Sequence, residues 1–528
     1  RRLRSAALAG VMPYVVDFVL EDDEARSREG LITFDDLILR VRELLRDSAD
    51  ARRSLRRRLR VLLIDEFQDT DPLQVEIAMA FATDPDSGQF QPGRLFLVGD
   101  PKQSIYRFRR ADMAVYAGTR ASIQTGGARL LELALNQRAR ETLLAWVNAV
   151  FQGVIGTGDE PGVQPPYRPI HSTRREQLAG PDVAWFGGAS RDPARALRGQ
   201  EARDVADICR QAVDREMWQV SERDGSVREA HFRDIAVLLP RRTGLAALER
   251  ALAAQRIPYR VEGGSLIYRT QEVRDLINCL TAIDDPADEV AVVAALRSPA
   301  FACSDVELAQ FKADGGRFNY RAGKHAEMTG RAADGLRTLE RYHSRRHDRS
   351  LAALIEAFVG ECGLVETGVL HQGDRNTFRR VRFMAQQARS FEATRPESLR
   401  AFVGWLEHQA GGGILDNEGA GVDDDEDAVR ILTVHGSKGL EFPIVIMAGT
   451  SAAPLKGKYP TFMREFANQD VAVRIGTSGG NRLFTLGDCD RLTALEGRHD
   501  DAEFRRLLYV AATRARDHLL VSLYHKLS

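Results

Sequence analysis

The chain contains the stretch Val61-Leu62-Leu63-Ile64-Asp65-Glu66-Phe67-Gln68-Asp69-Thr70-Asp71, in which four apolar residues are followed at once by carboxylates. A short, fully apolar run is typical of a buried strand in a parallel sheet. Leu95-Phe96-Leu97-Val98 has the same character and ends in Gly99-Asp100. With a helical stretch over 72–82 between them, the two runs predict adjacent strand–helix units of an open α/β sheet. Ligands of such sheets bind at the carboxyl ends of the strands.

A second group of α/β elements is predicted further along the chain. The pattern predicts a helix over 245–254 and strands over 235–239, 257–261, 429–434, 444–447 and 519–523. The first sixty residues are predicted to be mostly helical. Residues 298–425 are rich in Ala, Arg and Glu and poor in strand signals, which predicts a helical insertion in the second α/β domain. Gly411-Gly412-Gly413 and the acidic run 423–427 indicate a solvated linker at its exit.

Length and composition exclude several classes of protein. At roughly 100–200 residues per domain, 528 residues predict three or four domains, and 44% hydrophobic residues exclude global disorder. Lys and Arg number 74 against 75 Asp and Glu, so any polyanion site must be a local patch. Five widely spaced cysteines exclude a disulfide framework or zinc knuckle and favour a cytoplasmic location. No apolar run is expected to reach the ~18 residues of a membrane span, so no membrane partner is expected.

The adjacent carboxylates Asp65 and Glu66 fall where a strand is predicted to end. One carboxylate there can hold Mg²⁺ while the other orients or deprotonates an attacking water, as in nucleotide hydrolysis. The alternative is structural, with Asp and Thr capping the helix that begins near Pro72. The sequence leaves both interpretations open.

The segment from Val98 to Asp112 combines a carboxamide, two aromatic rings and several arginines. Gln103 is the carboxamide, Tyr106 and Phe108 are the rings, and Arg109 is one of the interleaved cations. Rings that stack on bases and cations that contact phosphates are the components of a single-strand platform. The alternative is a basic surface loop whose rings are buried in a core.

Residues 61–71 and 98–112 resemble motifs II and III of superfamily 1 DNA helicases of the UvrD/Rep type. The resemblance is strongest to the branch that contains the helicase subunits of RecBCD and AddAB nucleases. Three later blocks resemble motifs IV, V and VI in the same order: Leu135-Asn136-Gln137-Arg138, Thr433-Val434-His435-Gly436-Ser437-Lys438-Gly439-Leu440-Glu441-Phe442-Pro443, and Arg506-Leu507-Leu508-Tyr509-Val510-Ala511-Ala512-Thr513-Arg514-Ala515-Arg516. The segment from Gly263-Gly264 to Asp275 also resembles the family.

The resemblance implies an α/β fold of RecA-like P-loop NTPase motor domains with parallel sheets and a mainly helical inserted domain. The implied divisions are the end of a helical accessory insertion at 1–30, the second half of the first RecA-like domain at 31–125, the first part of a second RecA-like domain at 126–297, the helical inserted domain at 298–425, and the rest of the second RecA-like domain at 426–528.

The same resemblance implies ATP and Mg²⁺ as cofactors and assigns roles by position. Asp65 would ligate Mg²⁺, and Glu66 would activate the attacking water. Gln103 would sense the γ-phosphate. Arg138 and Arg514 would both contact the γ-phosphate, with Arg514 as an arginine finger, and Glu441 would contact the nucleotide. On the DNA side, Phe108 would stack on a base with Tyr106 and Arg109 beside it, and His435 would contact the strand.

The chain also departs from the family pattern. Gln137 replaces the aromatic residue that often follows the motif IV Asn, and Arg110 stands where Gly usually ends the motif III turn. No G-x-x-x-x-G-K-[ST] occurs, so the backbone phosphate cradle and its Lys are missing. We therefore expect the chain to begin after the Walker A block, near the end of the accessory insertion, where Thr33-Phe34-Asp35-Asp36-Leu37 resembles the family.

Two functions are compatible with these observations. The first is an ATP-dependent DNA helicase that moves 3′→5′ in recombination or repair, with single-stranded and duplex DNA and a nuclease subunit or fused nuclease domain as partners. These 528 residues alone are then expected to be inactive. The alternative is a non-catalytic, helicase-like DNA-binding scaffold within a nuclease complex. The helicase function is favoured because the chain retains the residues assigned to catalysis and nucleotide binding: Asp65, Glu66, Gln103, Arg138 and Arg514.

Overall fold

The structure is a computed structural model that describes residues 2–527 except 85, 88, 159, 161, 223, 263–266, 269, 324, 365, 367–375, 395–397, 412–426, 451–460, 466–467, 469 and 477–482. Gly263-Gly264, Gly412-Gly413 and acidic residues 423–426, all noted in the sequence, lie outside the described residues. The chain divides into two compact units, one formed by residues 1–177 and 452–516, the other by residues 178–451 and 517–528.

The described helices are α1 (Arg2–Arg28), α2 (Phe34–Asp47), α3 (Ala49–Arg58), α4 (Pro72–Ala82), α5 (Met113–Thr125), α6 (Glu141–Val154), α7 (Ala194–Arg210), α8 (Leu245–Ala254), α9 (Gln271–Asp284), α10 (Glu289–Arg297), α11 (Asp305–Ala313), α12 (Arg331–Ser344), α13 (Leu351–Glu361), α14 (Asn376–Thr394), α15 (Leu399–Gly411) and α16 (Cys489–Ala512).

The described strands are β1 (Leu62–Ile64), β2 (Leu95–Leu97), β3 (Leu135–Arg140), β4 (His171–Arg174), β5 (Val183–Phe186), β6 (Ala189–Ser190), β7 (Gln219–Ser221), β8 (Val227–Glu229), β9 (Ile235–Leu239), β10 (Tyr259–Val261), β11 (Val429–Thr433), β12 (Phe442–Met447), β13 (Phe462–Glu465), β14 (Asp470–Ile475), β15 (Phe484–Leu486), β16 (Ala515–Ser522) and β17 (His525–Lys526).

In the first unit, β1 and β2 pair in parallel, with Leu63 opposite Phe96. The two strands and the helix predicted between them, α4, are confirmed. The expectation that both strands are buried is wrong, because Leu63 is 70% and Phe96 52% exposed. The reason is local: these two strands form a sheet of their own in the described part of the chain, and nothing described covers the face that carries these side chains.

The second unit contains a six-stranded sheet in the order β10-β11-β9-β12-β16-β5. Strand β9 pairs in parallel with both β11 and β12. Strand β10 is parallel to β11, and strand β16 is parallel to β5. Every residue of β9, Ile235–Leu239, is buried, as its unbroken apolar run predicts for a strand covered on both faces. The predicted strands and helix α8 are confirmed, and the α/β class with a mainly parallel sheet is confirmed with them.

Helices dominate the second unit between β10 and β11. Their shared core includes Leu276 and Leu280 of α9, Leu336 and Leu339 of α12, and Phe402 of α15. Helices α9 and α10, which precede residue 298, belong to the same core. The helical character predicted for this region is confirmed, and the division at residue 298 stays a prediction.

Helix α1 is largely apolar, and many of its side chains are exposed, including Phe18 at 70%. By length and composition its residues Leu3–Arg28 could cross a membrane, the single case among the described helices. The charged residues Arg4 and Asp17 interrupt its apolar residues, so the expectation that no unbroken apolar run reaches ~18 residues is not contradicted by this helix. The helix packs on β15, where the Ser5 hydroxyl donates to the Thr485 carbonyl at 2.7 Å.

A buried arginine joins the helical region of the second unit to the helices beside its sheet. Arg380 of α14 donates to Glu272 of α9 at 2.8 Å and to Glu249 of α8. Its side chain is 6% exposed, and the two carboxylates raise the pKa of its guanidinium against the opposing effect of burial. Removing the arginine would leave two carboxylates in a largely buried site.

We predict that Arg380→Met lowers the free energy of unfolding by about 3–5 kcal/mol, because breaking a buried pair leaves uncompensated charge. The matched control is Arg389→Met on the same helix. Arg389 pairs with Glu356 and both are about half exposed, so the expected cost is roughly 0–1 kcal/mol. Equal effects in denaturant titrations of the two variants would contradict the buried role of Arg380.

Candidate functional site

Asp65 and Glu66 lie directly after β1 and are both exposed. Glu66 adopts a left-handed backbone conformation, with φ 52° and ψ 38°, and donates its N–H to Asp65 Oδ1 at 2.8 Å. The cap of α4 is made by Asp71, whose carboxylate accepts from the Leu73 N–H at 2.7 Å. Helix capping therefore explains Asp71 but not the pair at the strand end. A left-handed non-glycine residue is strained, and such strain is concentrated at functional sites.

The loops that follow β1 and β2 are joined by the buried side chain of Gln68. Its amide nitrogen donates to Glu66, and its amide oxygen accepts from the Asp100 N–H at 2.9 Å. The Ser104 hydroxyl donates to the Gln68 carbonyl at 3.0 Å. A Cβ at Gly99 would lie 2.7 Å from the Gln68 amide oxygen, so this close approach requires glycine. The sequence analysis missed Gln68 and Gly99, although both stand inside the quoted blocks.

Gln103 lies between an acid and an arginine in the first unit. Its amide nitrogen donates to Asp100 Oδ2 at 3.1 Å, and its amide oxygen accepts from Arg514 Nη2 at 3.3 Å. Arg514 is 3% exposed and also donates to the Val510 carbonyl at 3.2 Å. Lys102 balances the charge of Asp100 across 2.9 Å. The structure thus brings together two residues that are more than four hundred positions apart and that the sequence assigned to one phosphate.

Tyr106, Phe108 and Arg109 form a small platform a few residues further on. The two ring centroids are 5.6 Å apart, and the Arg109 guanidinium lies 5.3 Å from the Tyr106 centroid and 5.9 Å from that of Phe108. Phe108 is 46% exposed and Tyr106 is half-buried. The alternative that both rings are buried in a core does not fit Phe108, which is nearly half exposed.

The other predicted site residues occupy strand ends and edges. Arg138 lies on β3 and is exposed, and its N–H donates to Asn136 Oδ1 at 2.8 Å. In the second unit, His435 begins a short turn after β11, and Glu441 directly precedes β12. That turn is held by the Ser437 hydroxyl, which donates to the Val434 carbonyl at 2.8 Å. These positions match the carboxyl end of one strand and the entry to the next.

The donor set after β1 fits a hard divalent cation. Carboxylate oxygens are the ligands that Mg²⁺ prefers, usually one or two together with substrate phosphates and water. Asp65 and Glu66 supply two exposed carboxylates at the end of β1. The residues present are therefore compatible with a nucleotide-bound Mg²⁺.

Comparison with known protein families assigns this α/β chain, with carboxylates at a strand end and an arginine on a loop glutamine, to one class of protein. The UvrD/REP helicase N-terminal domain matches residues 14–124, and the UvrD-like helicase C-terminal domain matches residues 192–316 and 321–526. The second match alone covers more than half of the chain, so the chain belongs to the UvrD/REP helicase family. The resemblance drawn from the five sequence blocks is confirmed.

Individual relatives are named as one subunit of an ATP-dependent helicase/nuclease. The protein of that name from Geobacillus kaustophilus is 30% identical over 87% of this chain and 39% of its own length. Those from Bacillus cytotoxicus and Listeria welshimeri are 28% and 27% identical, over 88% and 94% of this chain and 39% and 42% of their own lengths. The chain spans about two fifths of the length of these relatives.

Arg110, which replaces the usual glycine of motif III, adopts the conformation that glycine favours. Its φ is 70° and its ψ 12°, in the left-handed region. The guanidinium contacts Asp35 at 2.7 Å, and both side chains are more than half exposed. An exposed ion pair of this kind compensates only part of the backbone strain.

We predict that Arg110→Gly changes the free energy of unfolding by less than about 1 kcal/mol, because relief of the left-handed strain offsets the lost ion pair. Arg110→Ala is the matched control. It loses the same ion pair and keeps the strain, so it should be about 1 kcal/mol less stable than the glycine variant. Glycine and alanine variants of equal stability in thermal unfolding would show that the strain is absent.

Proposed function

We propose that this chain is the greater part of the motor of an ATP-dependent DNA helicase that acts with a nuclease subunit or nuclease domain in recombination or repair. The observation that carries the proposal is the contact of Arg514 with Gln103 on the same segment that ends in the Phe108 platform. One short segment thus carries a group suited to sensing phosphate and a ring suited to stacking on a base. We place the protein in the cytoplasm and assign 3′→5′ movement, by family resemblance.

The relatives support the nuclease connection through their name, in which helicase and nuclease stand together. Single-stranded and duplex DNA are then the nucleic-acid partners. A platform of two rings with a stacked arginine supports sequence-tolerant binding of single strands, because every base has a face to stack. Tyr106, Phe108, Arg109 and His435 are the proposed DNA contacts.

The proposed chemistry divides the nucleotide among several groups. Asp65 would hold Mg²⁺, which neutralises charge on the phosphates when bound. Glu66 would accept a proton from the attacking water, and Gln103 would sense the γ-phosphate. Arg514 supplies positive charge that stabilises the transition state. Arg138 and Glu441 are proposed as further nucleotide contacts.

The second candidate is a non-catalytic DNA-binding scaffold of a nuclease complex. The 528 residues contain no G-x-x-x-x-G-K-[ST], whose backbone N–H groups and Lys bind the β- and γ-phosphates. We therefore propose that these residues by themselves show no DNA-stimulated ATP turnover, although they retain salt-sensitive binding to single strands. A helicase that contains this chain together with the phosphate-binding loop would hydrolyse ATP, and a scaffold would not.

We predict that in the intact protein Glu66→Gln leaves ATP binding nearly unchanged and lowers steady-state hydrolysis by about 10²–10⁴-fold, because an amide cannot accept the proton. The measurements are nucleotide affinity and DNA-stimulated phosphate release. Glu76→Gln, on the exposed side of α4, is the control and should behave as wild type. Wild-type turnover by Glu66→Gln would refute the assignment, and absence of turnover in the wild type would favour the scaffold.

We predict that Phe108→Ala weakens single-strand affinity by about 1–3 kcal/mol, the contribution of one stacked base, with little change in folding stability. Phe81→Ala is the contrasting control, since Phe81 is a core ring at 2% exposure and its loss should cost about 3–5 kcal/mol of stability. Fluorescence titration with an oligonucleotide and thermal melting distinguish the two roles. Unchanged DNA affinity for Phe108→Ala would remove the ring from the DNA site.

A further inference from the structure

Helix α16 and the residue just after it contact residues 102–107 of the motif III segment, 98–112, at several turns. Arg514, just after the helix, contacts Gln103. One turn earlier, the Tyr509 ring lies under the Lys102 ammonium at 5.7 Å. Arg506 donates through Nε to the Ser104 carbonyl at 2.7 Å. The helix therefore runs beside the segment from the phosphate-sensing glutamine toward the DNA platform.

Two acids of the same helix hold Arg107, the residue between the two platform rings. Glu496 accepts from the Arg107 guanidinium at 2.5 Å, and Glu503 accepts from the Arg107 backbone N–H at 3.0 Å. Side chain and backbone of Arg107 are thus bound separately, seven residues apart on α16. Because Arg107 begins the short 3₁₀ turn Arg107–Arg109 that carries Phe108, its position determines where the Phe108 ring points.

The Glu503 carboxyl is partly buried, and burial raises its pKa above the ordinary range against the lowering effect of the Arg107 N–H. Burying a carboxyl is costly, and an apolar residue would pack a helix against a loop without that cost. The first N–H groups of a helical turn have no partner within the turn, and Glu503 supplies one. The acid therefore serves the conformation of the loop more than the packing of the helix.

Several ionisable side chains of α16 lie near Glu503, and burial shifts their pKa values. Arg506 is 2% exposed, and burial lowers the pKa of its guanidinium to about 10 while Glu503 opposes the shift. Burial, together with Arg107, Arg506 and Arg498, lowers the pKa of His499 to about 3, so this imidazole is neutral at physiological pH. Asp500 also faces this cluster, and burial and Glu496 raise its pKa. Within this cluster, Glu496 contacts the Arg107 guanidinium and Glu503 contacts the Arg107 backbone N–H.

We propose that Glu496 and Glu503 are positioning residues that hold Arg107 so that binding of a DNA base at Phe108 is transmitted through α16 to the Arg514–Gln103 contact. The inference rests on the proposed function and adds to it the residues that make hydrolysis depend on DNA. Neither acid is expected to contact nucleotide or DNA. Their loss should reduce stimulation by DNA and leave the unstimulated rate in place.

The test measures ATP turnover by the intact protein with and without a thymidine oligonucleotide. We expect Glu503→Ala to lower the DNA-stimulated kcat about tenfold, comparable to one lost hydrogen bond to a charged group, with the unstimulated rate within about twofold of wild type. Glu503→Gln retains an oxygen that accepts the Arg107 N–H, so it should recover most of the stimulation. Asp501→Asn, an exposed acid on the same helix, is the control and should match wild type.

Glu496→Ala provides a second variant at a partly exposed site, where the Glu496 side chain is 22% exposed. It should also lower stimulation, and combining it with Arg107→Ala should add little, because both remove the same contact. Stimulation equal to wild type in both Glu496→Ala and Glu503→Ala would overturn the inference. An equal fall of stimulated and unstimulated rates would overturn it as well, since that result indicates general disruption. A wild type without DNA stimulation would instead overturn the proposed function.

Discussion

The need to satisfy the buried guanidinium of Arg506 with hydrogen-bond acceptors determines how the loops of the first unit are arranged. A buried cation must place its N–H groups on oxygen acceptors, because an unsatisfied charged donor in the interior is very costly. Arg506 meets this requirement with the carbonyls of Ser104 and Val163 and the amide oxygen of Gln164. Three bonds from one side chain therefore fix two separate loops on α16. One of those loops carries Gln103 and Phe108, so the geometry of both proposed activities depends on this residue.

Neighbouring groups extend the same organisation toward β1. The Ser104 hydroxyl reaches the Gln68 carbonyl, and the Gln68 side chain reaches Glu66 and the Asp100 backbone. A continuous chain of hydrogen bonds thus runs from the buried arginine to the strand-end carboxylates. Networks of this kind position groups well only when every member is satisfied, because a partly satisfied network in a low-dielectric interior is destabilising.

Hydrophobic patterns within short stretches of the sequence predicted the helices and strands whose formation depends on nearby residues. The apolar run 235–239 forms a fully buried strand, and α4 and α8 have the predicted bounds. Exposure of Leu63 and Phe96 could not be predicted, because it depends on which other elements cover the sheet. The roles of Glu496 and Glu503 were invisible for a related reason: Arg107 and Glu503 are 396 residues apart, and no spacing rule connects them. Arg110 was noticed as a departure, but only its backbone angles explain how it replaces glycine.

The first unit is assembled from two parts of the chain, residues 1–177 and 452–516, separated by the whole of residues 178–451. During synthesis, Arg107 leaves the ribosome long before Glu503, and at about 5–20 residues per second the 396-residue interval lasts roughly 20–80 s. Throughout that time the loop after β2 lacks the helix that holds it, while residues 178–451 emerge and can begin to fold. The first unit therefore cannot close until after residues 178–451 have been synthesised, and its unfinished apolar surface is exposed to chaperones and to aggregation for that interval.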